Sequence, residues 1–208
     1  MSELKDYQPI YPAEYDVESI KKFSELISNQ FMHGGSKYAL YGDKEFTDLV
    51  CEFQPGETGS DWILQTMIKY LGRFKNFQRE KDFLKIACYC FIIYLKMGFH
   101  LHEQFTDIYN TGLETKTSNY PAFEKELSDK ITSFKESYLE AIDIACEFQM
   151  GESGIDYILQ EMLVKLKVFQ KQKHRTILFD VGAMCYIGWV KMGFNRTDSH
   201  DEDTKKSG

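Results

Sequence analysis

The stretch CEFQPGETGSDWILQ (51–65) returns later in the chain as CEFQMGESGIDYILQ (146–160). The two align without a gap at an offset of 95 residues, and the register holds from Glu45 against Glu140 to Lys96-Met97-Gly98-Phe99 against Lys191-Met192-Gly193-Phe194. Over these 55 positions 22 residues are identical, too many for unrelated helices, so the chain carries a duplicated unit. Two copies are too few for a solenoid, which needs about three repeats to bury its faces. Two units packed about a pseudo-two-fold axis, as in a fused dimer, are the expected arrangement.

Each copy reads as helical. From Ser60, placed to cap a helix, Ile63, Met67, Tyr70, Leu71 and Phe74 recur at helical spacing, matched by Ile158, Leu159, Met162, Leu166 and Phe169. A second helix is expected from about Glu80 to Met97 and from about Arg175 to Met192, each closed by the Gly of KMGF in a left-handed cap. Before the repeated loops, EFTDLVCEF and EAIDIACEF read as helices with Leu49, Val50 and Phe53 inward, and Pro55-Gly56 stops the first. Upstream, Asp16 caps a helix carrying Val17, Ile20, Phe23, Leu26 and Ile27 that ends near His33-Gly34-Gly35, and Phe123, Leu127, Ile131 and Phe134 mark a helix over roughly 121–137. The expected fold is therefore all-α: a first unit over 1–99, a polar linker over 100–120, a second unit over 121–194 and a disordered tail over 195–208.

Composition narrows the class. With 43% hydrophobic residues the chain can bury a substantial core, and a formal net charge of −7 argues against a general nucleic-acid binder. Five cysteines without paired metal spacing suggest free thiols in a reducing compartment. Cys88 and Cys90, adjacent-but-one on a helix, point apart. The first residues lack the apolar core of a signal peptide, and the run IACYCFIIYL is too short and polar to span a bilayer, so a cytoplasmic protein is expected.

Three constellations could carry chemistry. Glu45, Asp48 and Glu52, repeated as Glu140, Asp143 and Glu147, fall within about 60° of one another on a helix and would repel unless neutralised. Magnesium is the fitting cation, and the alternative is a solvated face paired with lysines. The loop with Gln54 and Glu57, repeated as Gln149 and Glu152, offers glycines and backbone amides to an anion, or simply joins two helices. Lys69, Arg73 and Lys75 near one helix end form a basic patch suited to phosphate, although the second copy has Val164 and Val168 opposite Lys69 and Arg73.

The residues Lys69, Tyr70, Leu71, Arg73 and Lys75, then Glu80, Asp82, Lys85, Ala87 and Tyr89, resemble the short helical module of phage nucleotide-kinase-like (SaV-like) proteins. More distantly the chain resembles the all-α MazG-like nucleotide pyrophosphohydrolases, which hold magnesium with carboxylates on two neighbouring helices. The pattern departs from theirs in that Glu80 and Asp82 are separated by one residue rather than two. These resemblances imply a phage-associated, magnesium-dependent protein that binds nucleotides or hydrolyses their pyrophosphate bond. Glu45, Asp48 and Glu52 would be catalytic, Asp82 would join them at the metal, and Lys69, Arg73, Lys75, Gln54 and Glu57 would hold the ligand. The alternative is a non-enzymatic interaction module that binds a protein partner, a further copy of itself or a small anionic ligand through its two similar surfaces.

Overall fold

A computed structural model describes residues 16–36, 60–99, 119–137 and 155–196, and for 33–36 and 135–137 the backbone alone. These residues form six helices and a closing 3-10 turn, with no strand among them. The helices are α1 (Val17–Ser36), α2 (Ser60–Phe77), α3 (Glu80–Lys96), α4 (Tyr120–Ser137), α5 (Ile155–Gln172) and α6 (Arg175–Lys191), followed by the turn Phe194–Arg196. The expected helices over EFTDLVCEF and EAIDIACEF, the polar linker and the tail lie outside the described residues.

α2 and α3 form one helical hairpin and α5 and α6 another, with bounds that differ by the same 95 residues as the sequence repeat. The apolar spacing builds both in the same way. Ile63, Leu64, Met67, Leu71 and Phe74 are the buried apolar stripe of α2, and Ile158, Leu159, Met162, Leu166 and Phe169, with Ile155 ahead of them, are that of α5. Each hairpin turns in two residues. Gln78 and Lys173 adopt left-handed backbone (φ 49° and 54°), which aims their amides at the carbonyls of Phe74 and Phe169 at 2.7 and 2.8 Å. Arg79 and His174 then extend the chain before the next helix starts. At the far end Gly98 and Gly193 take φ of 68° and 75°, the cap expected of KMGF, and donate to Leu95 and Val190.

Two helix starts differ in kind. Asp16 caps α1 as expected, its Oδ1 accepting from the Ser19 amide at 2.6 Å. Ser60 instead opens α2 as a buried helical residue, and its hydroxyl takes the ammonium of Lys173 at 3.1 Å. α1 ends at Ser36, one residue past the expected His33-Gly34-Gly35.

α3 and α6 pack against each other at the centre, α1 lies against α3, α4 against α6, and α2 against α5. α6 is buried on every side from Ile177 to Lys191, as an all-round apolar sequence requires. Close approach is made by Gly188, where a Cβ would stand 2.6 Å from Cζ of Phe83, a ring that is itself fully buried.

The outer helices, each lying on the last helix of its own unit, also reach across the repeat. Phe23 of α1 meets Tyr186 and Trp189 of α6 at centroid distances of 5.5 and 5.4 Å. Phe123 of α4 meets Phe91 and Tyr94 of α3 at 5.0 and 5.5 Å, and those two residues are the sequence equivalents of Tyr186 and Trp189. Each unit's first helix thus places a phenylalanine on the last helix of the other, and the buried side chains form one continuous core. Polar contacts cross the same boundary: Ser19 Oγ pairs with Tyr186 Oη at 2.5 Å, the Tyr120 hydroxyl donates to the Ser24 carbonyl, and Trp189 Nε1 donates to Glu80 Oε1 at 2.8 Å.

Candidate functional site

Of the residues that the sequence singles out, Lys69, Arg73, Lys75 and Asp82 are described; Glu45, Asp48, Glu52, Gln54 and Glu57 lie outside the described residues. The structure brings Arg73 and Asp82 together. Arg73 sits one turn before the end of α2 and Asp82 in the first turn of α3, so the two-residue hairpin turn folds one onto the other. Arg73 Nε donates to Asp82 Oδ1 at 2.7 Å and an Nη group reaches the same oxygen. Asp82 is fully buried, whereas the Arg73 side chain keeps about a quarter of its surface exposed. The hydrogen bonds to Asp82 raise the Arg73 pKa further, and its charge is fixed.

The guanidinium also covers the ring of Tyr70 at 4.7 Å from its centroid, and Lys85 Nζ stands 5.1 Å from the same ring. Tyr89 stacks on Tyr70 with centroids 6.0 Å apart and planes 25° from parallel. Lys69 and Lys75 are exposed on α2 nearby. The first hairpin therefore presents two half-buried tyrosines flanked by cations, with Asp82 beneath as the fixed counter-charge. Tyr70 and Lys85 lie beyond the patch that sequence reasoning chose. Their signal was present, because residues three and four apart on facing helices converge when the connection is this short.

The matching positions in the second hairpin exchange these roles. Tyr70 and Lys85 correspond to Lys165 and Asp180, and there the contact is an ion pair at 2.8 Å, with Lys130 of α4 on the other oxygen at 2.7 Å. Arg73 and Asp82 correspond to Val168, half-buried against the apolar core, and Ile177, within it. One hairpin exposes an aromatic and cationic surface, and the other closes it with a neutralised carboxylate.

A metal finds little at Asp82. One oxygen belongs to Arg73, and Oδ2 has no hydrogen-bond partner among the described residues. Glu80, its neighbour in sequence, is turned to Trp189, and no group of three His, Cys, Asp or Glu side chains suited to a metal occurs among the described residues. The described carboxylates thus do not assemble into a magnesium site, and the acidic stripe that the sequence assigns to magnesium is outside them. Cys88, Cys90 and Cys185 are buried free thiols, and burial pushes the thiols of Cys90 and Cys185 up, away from the reactive thiolate. No helix among the described residues is long and apolar enough to cross a membrane.

Comparison of the chain with protein-family models, with curated proteins and with solved structures returns no match.

Proposed function

We propose that the first hairpin binds a phosphate-bearing small ligand, a nucleotide being the class that uses its features best. What supports this is the pairing of Tyr70 and Tyr89 under the cations Arg73 and Lys85. Stacked rings suit a base, while cations at their edge suit a phosphate. Arg73 is oriented by Asp82 before any ligand arrives, which lowers the ordering cost of binding. Lys69 and Lys75 add exposed positive charge on the same helix. Hydrolysis belongs to the same proposal only through the acidic stripe: Glu45, Asp48 and Glu52 with magnesium would polarise the phosphates and orient a water.

The test is thermal stabilisation and calorimetry of the full chain with a panel of nucleoside mono-, di- and triphosphates, with and without magnesium. Saturable binding that is lost in Tyr70→Ala and in Lys85→Gln supports the reading. No nucleotide-dependent shift in any condition overturns it. Release of pyrophosphate that disappears in Glu45→Gln and Asp48→Asn extends the reading to an enzyme, and binding without release confines it to a binding protein.

A further inference from the structure

We propose that the outer face formed by α2 and α5 docks an acidic amphipathic helix of a partner protein. The face follows from how the two helices lie. Lys173, just past the end of α5, reaches Ser60 and Asp61 at the start of α2, at 3.1 and 3.2 Å, so the helices run side by side in opposite directions. Their buried stripes turn inward with α3 and α6. Ile68 is seven residues from Asp61 and therefore on nearly the same edge of α2, the edge that meets α5. Leu163 holds the matching place on α5, seven residues after Asp156. The two aliphatic side chains thus flank the seam near mid-length, 43% and 45% exposed, with Val164 beside them at 54%.

Around this apolar centre every fully exposed charge is a lysine, the acids of the two helices being the half-buried Asp61, Asp156 and Glu161. The exposed positions of α2 and α5 coincide in register, and none of them is acidic. Lys69 and Lys75 on α2 and Lys167 and Lys171 on α5 are exposed, without an ion-pair partner among the described residues. α1 and α4 differ, exposing Glu18, Glu25 and Asp129. In a chain of net charge −7, a face whose fully exposed charges are all lysine, set around an aliphatic centre, is a departure from the average surface.

The occupant follows from that chemistry. Aliphatic side chains at the centre offer nothing to a phosphate backbone, and three of them give a bilayer too little apolar area to hold. An amphipathic helix with one aliphatic and one acidic face meets both requirements, laid along a seam about 27 Å long, the length of 18 helical residues. The rim shares Lys69 and Lys75 with the proposed nucleotide site, so the test is made at Leu163, Lys167 and Lys171 of α5, which that site does not use.

The experiment uses the full chain and a designed 18-residue peptide with a leucine face and a glutamate face, measured by fluorescence anisotropy. A peptide with lysine replacing glutamate, duplex DNA and phosphatidylserine vesicles are measured in parallel, and sedimentation reports self-association. Expected is saturable binding of the acidic peptide alone, weakened by salt, and weakened at least tenfold in both Leu163→Ser and the double variant Lys167→Glu/Lys171→Glu. Both changes are at exposed positions, and an unchanged melting temperature shows that the fold persists. Equal binding of the lysine peptide, indifference to the variants, variant-sensitive binding of DNA or vesicles in place of the peptide, or a dimer that the variants dissolve would overturn the proposal.

Discussion

Arg73 and Asp82 form an ion pair between α2 and α3, and the two residues that match them 95 positions later, Val168 and Ile177, are apolar. The same hairpin geometry is therefore solved twice, once with charges and once without. Removing one partner of a buried pair costs about 3–5 kcal/mol because the other charge is stranded. Arg73→Val should approach the low end, about 3 kcal/mol, since the guanidinium is partly solvated and Asp82 is not. Arg73→Val with Asp82→Ile, which writes the second hairpin's solution into the first, should recover most of the loss in urea denaturation. A double variant as unstable as the single one would show that the two hairpins differ in more than these side chains.

Gly188 and Gly72 should respond in opposite directions to alanine. At Gly188 the new methyl meets the buried ring of Phe83 at 2.6 Å, and overpacking of this kind costs about 1–3 kcal/mol, more than the roughly 1 kcal/mol of helix propensity gained. At Gly72, exposed on α2 with nothing within 4 Å, only the propensity gain remains, about 0.5–1 kcal/mol. Melting temperatures should therefore fall for Gly188→Ala and rise for Gly72→Ala.

Alkaline pH should unfold the protein through Tyr186. Burial pushes its phenol up to about 12, while an unfolded tyrosine ionises near 10. Between these values the folded state holds the proton that the unfolded state releases, so stability is complete below about pH 10 and declines as pH rises toward 12. Tyr120 is shifted in the same direction, chiefly by burial. Denaturation midpoints between pH 8 and 12 should show this decline, and Tyr186→Phe should flatten it while the Ser19 hydroxyl keeps its bond to the Asp16 carbonyl at 3.0 Å.

Neither half should fold alone. α3 and α6 pack on each other at the centre, and Phe23 meets Tyr186 and Trp189 while Phe123 meets Phe91 and Tyr94, so each unit's core is completed by rings of the other. Fragments 1–99 and 100–208 should give weak helical circular dichroism and no cooperative melt separately, and regain both when mixed. A cooperative melt from either fragment by itself would contradict this.

Periodicity and caps carried much of the fold into view. The 3.6-residue spacing in α2 and α5 and the Gly of KMGF are local signals, readable because one helix face and one backbone angle dictate them. The two-residue turns were harder to see, because Gln78 and Lys173 take a left-handed conformation that ordinarily announces itself as Gly or Asn. The ring contacts that α1 and α4 make with the opposite unit had no local signal at all, since an amphipathic stripe states that a partner exists and not which one. At the site, Lys69 and Arg73 were legible as basic, but the tie of Arg73 to Asp82 spans the turn and depends on its tightness. The stripe Glu45, Asp48 and Glu52 lies outside the described residues.

The exchange of seats between the units also sets a clock for biosynthesis. Ser19 and Phe23 leave the ribosome before the helix that carries Tyr186 and Trp189, with Tyr186 following Ser19 by 167 residues. At about 5–20 residues per second that interval is roughly ten to thirty seconds. For that time α1 can lie on α3, but Ser19 and Phe23 lack the partners that α6 supplies. A holding chaperone at the exit tunnel, or a partner already bound to the emerging α2, would matter most in that window.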